Sequence, residues 1–176
     1  MMMKKNMKRW IVLMGAALLC GCAAYGGYGL KPGQDGVDEV VRVMGQPALR
    51  WQEPDGSLQL AYPRGPMGFH SYMAHFAADG KLLRIENVMD EQAFARVQPG
   101  MTQAQVLRIL GPSVADRSAY FKARDELVWE WRHCNAWNDA ARFNVLFDNS
   151  TGTVRSTMSQ TEAQMGLCDR KCVCGR

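Results

Sequence analysis

The stretch Gly100 to Pro112 constrains this chain more tightly than any other, because several independent local signals in it agree. Thr102 is a good helix N-cap and Gln105 stands three residues on. That is the spacing of a capping box, in which the hydroxyl accepts from the backbone N–H at Gln105 while the Gln side chain reaches back. Met101, just before the cap, is placed to pack on Val106 as a hydrophobic staple. Val106, Ile109 and Leu110 share one helical face. Gly111 offers a left-handed stop and Pro112 forbids continuation. The pattern predicts a short helix over 103–110.

The same skeleton occurs earlier. Pro32-Gly33 leads to Asp35, a plausible cap, and Val37, Val40, Val41 and Met44 then recur at helical spacing before Gly45 and Pro47. Each helix is followed by segments of alternating polarity. In the first copy these are Leu49–Gln52, Ser57–Tyr62, Phe69–Phe76 and Leu82–Met89, separated by Glu53-Pro54-Asp55-Gly56 and Asp79-Gly80 turns. In the second they are Val114–Tyr120, the Leu127, Trp129, Trp131 run, the Phe143, Val145, Phe147 run, and Thr153–Gln160. Asp90–Val97 reads as a short joining helix. The expected fold is α+β: two tandem αβββ-like modules, a helix and about three antiparallel strands each. Alternation of this kind implies sheets with one face covered and one face wet.

The N-terminus reads as a processing signal. Lys4, Lys5, Lys8 and Arg9 precede an apolar run from Trp10 to Leu19, too short to span ~30 Å of hydrocarbon as a helix but suited to a secretory signal. Leu19-Cys20-Gly21-Cys22 then resembles the lipobox of bacterial lipoproteins, with small residues before a nucleophilic thiol. Cleavage before Cys22 and lipidation of its sulfur are expected, and more than one acyl chain there gives stable anchoring. By resemblance to enterobacterial lipoproteins, Ala23 after the cysteine implies export to the outer membrane. The expected divisions are a signal peptide 1–21, a lipidated Cys22 with a flexible Gly-rich tether 22–30, a first module 31–97, a second module 98–160 and a Cys-containing tail 161–176.

Processing changes the charge. Four of the 21 basic residues and none of the 17 acidic ones fall in residues 1–21, leaving 17 of each. The basic balance therefore belongs to the signal and gives no argument for nucleic-acid binding. Cys134, Cys168, Cys172 and Cys174 remain, in an oxidising compartment. A Cys172–Cys174 bridge closes a very tight ring. The favoured pairing is therefore Cys134 with Cys172 or Cys174, and Cys168 with the other. The alternative is a metal site from the same four sulfurs with His133. The chain carries no Gly-x-Ser-x-Gly, no phosphate-cradling Gly loop and no His-Glu-x-x-His, so no enzyme activity and no cofactor are expected. His70 and His75 lie five apart and face opposite sides of a strand. The Pro/Gly-stiffened loop bearing Arg64, Pro66, Met67 and Phe69 suits a protein interface, whereas Trp129 and Trp131 suit a core.

Gln98-Pro99-Gly100-Met101-Thr102, then Val106, Leu110-Gly111-Pro112 and the Trp129, Trp131 strand, resemble the small outer-membrane lipoproteins of the BamE (SmpA/OmlA) type. Pro112 stands one place earlier than in that pattern. The resemblance implies a non-catalytic lipoprotein on the periplasmic side of the outer membrane. It would act by contact with envelope proteins such as the β-barrel assembly machinery, in outer-membrane protein assembly or envelope maintenance. The tandem arrangement is also similar in plan to the secreted β-lactamase inhibitor proteins, which implies the alternative of a periplasmic binding or inhibitor module.

Overall fold

The computed structural model describes residues 26–65, 67–114 and 118–175. The expected signal peptide, Cys22 and Pro66 lie outside the described residues. The elements run α1 (Val37–Met44), β1 (Leu49–Gln52), β2 (Leu58–Pro63), β3 (Ser71–Phe76), β4 (Leu82–Asn87), α2 (Glu91–Ala95), α3 (Gln103–Leu110), β5 (Ala119–Phe121), β6 (Glu126–Cys134), β7 (Ala140–Asp148) and β8 (Thr153–Thr161). The strands form two antiparallel sheets in simple sequence order, β1-β2-β3-β4 and β5-β6-β7-β8. Each sheet thus has one strand more than the expected three.

The two halves are built alike down to single hydrogen bonds. Gly33 N–H donates to the Leu82 carbonyl at 2.8 Å, and Gly100 N–H donates to the Val154 carbonyl at 2.8 Å. Leu82 N–H donates to Asp35 and Val154 N–H to Met101, both at 2.8 Å. In each half, therefore, the Pro-Gly step and the residue before the N-cap clasp the start of the fourth strand. A register shift falls near the end of the third strand in both, at His75/Phe76 and at Leu146/Phe147.

Local chemistry sets the helix ends. The capping box at Thr102 and Gln105 forms as expected, and Gly111 ends α3 with φ 74°. At α2, the Asp90 carboxylate accepts from Ala93 N–H at 2.8 Å. Asp35 does not cap α1. Gly36 is the N-cap and offers no side chain, while the Asp35 carboxylate folds back to accept from Lys31 N–H at 2.6 Å.

Packing is layered. Val40 and Met44 of α1 bury against Leu58, Leu60, Tyr62, Ala74, Phe76 and Leu82 on one face of the first sheet. The opposite face of that sheet is not wet. Ala61 and Met73 join Val106, Leu110, Trp131, Phe143, Val145 and Phe147 in a second core. α3 therefore lies between the sheets. Gln59 donates to the Arg108 carbonyl at 2.7 Å, and Arg108 pairs with Glu53 and sits over the Trp51 ring at 5.8 Å. A side chain added at Gly111 would stand 3.2 Å from Ser71 Oγ and 3.3 Å from Met73 Cε. From its other side, Trp131 donates Nε1–H to the Gly111 carbonyl at 3.3 Å. Gly111 is needed twice over: for its positive φ, and because the first sheet approaches it closely. α2 also packs on the second sheet, with Phe94 stacked on Phe143 at 4.1 Å and edge-on to His133 at 4.7 Å.

Candidate functional site

Strand register brings three segments to one end of the molecule. β2 stops at Pro63 and β3 begins at Ser71, so the 64–70 loop lies there. β6 stops at Cys134 and β7 begins at Ala140, which places the 135–139 turn at the end of the second sheet. The tail after Thr161 leaves β8 beside Ala141, at that same end.

Arg132 joins all of this. Its Nη1 donates to the Met67 carbonyl at 2.8 Å, and its guanidinium lies 4.1 Å from the centre of the Phe69 ring. Its Nε and Nη2 reach the two Glu162 oxygens at 2.7 and 2.8 Å, a bidentate geometry that fixes both planes. Glu162 also accepts from Arg142 Nε at 2.6 Å, and Arg142 pairs in turn with Glu130. Glu130, Arg142 and Glu162 are buried. Alternation along β6 and β7 puts Glu130 and Arg142 on a wet face; in the fold they form a desolvated ion network with Glu162. Such networks hold because each charge keeps its hydrogen bonds.

The expected loop residues divide. Arg64 and Met67 are exposed, Met67 by 60 %. Phe69 is half-buried, held under Arg132. Arg64 N–H donates to the His70 carbonyl at 3.0 Å, closing the loop, and the His70 ring stacks on Tyr72 at 5.9 Å. A side chain at Gly68 would collide with Arg64 at 2.5 Å, so the tightness of the loop depends on that glycine.

The four cysteines form two disulfides. Cys134 pairs with Cys174 across 40 residues at a Cα–Cα distance of 5.9 Å. Cys168 pairs with Cys172 at 6.0 Å. This is one of the two favoured pairings. Among the described residues no cluster of three or more His, Cys, Asp or Glu could hold a metal ion, and the sulfurs are consumed by one another. The first bridge pins the tail to the 135–139 turn, where Asp139 and Val173 make an isolated β-bridge.

Of the expected core tryptophans, Trp131 is buried and Trp129 packs edge-on to Phe147 at 4.8 Å. Trp137 sits in the 135–139 turn and is 77 % exposed. The histidines serve structure: His75 bonds Glu86 at 2.9 Å, and His133 bonds Ser159 at 3.1 Å. Burial works against ionisation of Glu86, but the His75 hydrogen bond and the Arg96 and Arg84 charges hold its carboxyl below the usual range. No helix among the described residues is long and apolar enough to cross a membrane.

Residues 86–157 match the family described as the outer membrane protein assembly factor BamE domain. The match takes in the end of β4, α2, α3 and the second sheet into β8. It begins upstream of Gln98, in keeping with the packing of Phe94 on Phe143. No curated protein matches the chain. The capped α3 helix and the Trp129 and Trp131 strand both lie within this match, so residues 86–157 are similar to a BamE domain.

Proposed function

We propose that the chain is a non-catalytic lipoprotein of the outer membrane, cut before Cys22, anchored by acyl chains on that sulfur, and facing the periplasm. It acts as an accessory in outer-membrane protein assembly through protein–protein contact. The observation that carries this reading is the BamE match over 86–157, with the Leu19-Cys20-Gly21-Cys22 lipobox as independent support. The first half, by the same reading, is a second module of like plan that adds the 64–70 loop. Arg64 and Met67 are the side chains that loop offers to a partner, with Phe69 bracing it against Arg132.

Affinity capture of the lipidated protein from gently solubilised membranes, with partners identified by mass spectrometry, tests this. Recovery of the β-barrel insertion machinery, reduced by an Arg64→Ala, Met67→Ala double variant, is the expected result. Enrichment of a different, soluble protein would replace it with the binding or inhibitor module. A Cys22→Ser variant is expected to leave the membrane fraction; retention there refutes the anchor.

A further inference from the structure

The end that carries the 64–70 loop also presents a rigid apolar set. Trp137, Leu167 and Val173 are exposed by 77, 56 and 59 %. They are not on a loose tail. Cys134–Cys174 ties the tail to the 135–139 turn, Cys168–Cys172 closes its bend, and Cys174 N–H donates to the Asn138 carbonyl at 3.1 Å. Lys171 lies among them, its ammonium 3.2 Å from the Trp137 carbonyl and 3.1 Å from Asp139. Arg170 is exposed beside it, against one exposed acid, Asp169.

Gly26, the first described residue, lies at this end too. A side chain on Gly26 would stand 3.5 Å from the Tyr72 hydroxyl, and Tyr72 is the second residue of β3, next to the 64–70 loop. Only four residue steps separate Gly26 from Cys22, a reach of about 14 Å when fully extended. A lipid on Cys22 therefore brings this end to the bilayer and leaves the opposite end, with the 53–57 and 148–153 turns, pointing away.

We propose that this end rests on the membrane surface, with Trp137, Leu167 and Val173 seated at headgroup level and Arg170 and Lys171 directed to anionic lipid phosphates. The inference rests on the lipid-anchor reading above. Tryptophan is amphipathic and favours the membrane–water boundary. Basic side chains near the surface gain from anionic lipid. The acyl chains suffice for retention, so this surface sets orientation.

The test uses lipidated protein in phosphatidylcholine vesicles containing phosphatidylserine. The Trp137 signal is the fluorescence difference between the native protein and Trp137→Phe. It is expected to be quenched by lipids brominated on their acyl chains and shielded several-fold from aqueous acrylamide. A Leu167→Ser, Val173→Ser variant is expected to float with the vesicles yet lose that shielding and be cut faster by trypsin at Arg170 and Lys171. A Trp137 signal open to acrylamide and untouched by brominated lipid, in protein that floats, overturns the proposal and leaves the anchor standing. Protein that does not float, and whose mass shows no acyl chains, fails the anchor itself and the proposal with it.

Discussion

Replacing Glu162 by Ala removes one carboxylate on which two guanidiniums converge. Arg142 keeps 3 % of its side chain exposed and Arg132 13 %, so neither recovers its hydration by turning outward. Arg142 retains Glu130, whereas Arg132 loses the one carboxylate it pairs with among the described residues. Breaking a buried ion pair from one side costs about 3–5 kcal/mol, because a charge is left uncompensated. That is a large share of the ~5–15 kcal/mol that separates folded from unfolded chains. The measurement is urea denaturation of the disulfide-intact protein followed by tryptophan fluorescence, with the m-value required to stay constant. Arg132→Ala and the double variant complete a cycle. Coupling of about 0.5–3 kcal/mol is expected for residues in direct contact. A loss near 1 kcal/mol or less for Glu162→Ala, the range of exposed pairs, would refute the claim that this network is desolvated.

Thr102→Ala removes one arm of the capping box and is expected to cost ~0.5–2 kcal/mol by the same denaturation assay, with Thr102→Ser restoring most of it. Leu110→Ala opens a cavity between the sheets and is expected to cost about 2–5 kcal/mol. Trp51 and Trp131 probe opposite sides of that helix and should report one common transition; two separated transitions refute a shared core. Burial lowers the pKa of His133 below its usual 6.5. The unfolded chain therefore binds a proton first as pH falls, so this stability is full above about 6.5 and drains away as pH falls through the folded value. His70 and His75 shift the same way, burial leading in both. His133→Gln should flatten, without abolishing, the fall in urea midpoint between pH 7.5 and 5.

What could be read in the sequence was what local chemistry decides. The bounds of α3 follow from Thr102, Gln105 and Gly111, which act on their own backbone within a few residues. The α1 cap was misread because Asp35 had two donors within reach and took the Lys31 N–H. The cysteine pairing was narrowed to two choices by ring size, and the docking of the tail on the 135–139 turn, through the β-bridge of Val173 to Asp139 and the Cys174 N–H on the Asn138 carbonyl, selects between them. The charged positions of β6 and β7 misled, since period two shows which residues share a face but not what covers it. Glu130 and Arg142 alternate as a wet face would, yet they are buried with Glu162, which lies beyond the last strand. Trp131 and Trp137 differ by six positions and by opposite fates, set by where β6 ends.

The position of α3 also has a consequence for biogenesis. The chain is made from its N-terminus, and domains tend to close as they emerge. Here the first four strands can pair and receive α1 while Leu49, Ala61 and Met73 still face water, because the helix that covers them is spelled by residues 103–110. The nascent half is therefore a sticky intermediate by construction. It needs a chaperone's shelter, or rapid delivery of the next few dozen residues, before it meets another copy of itself.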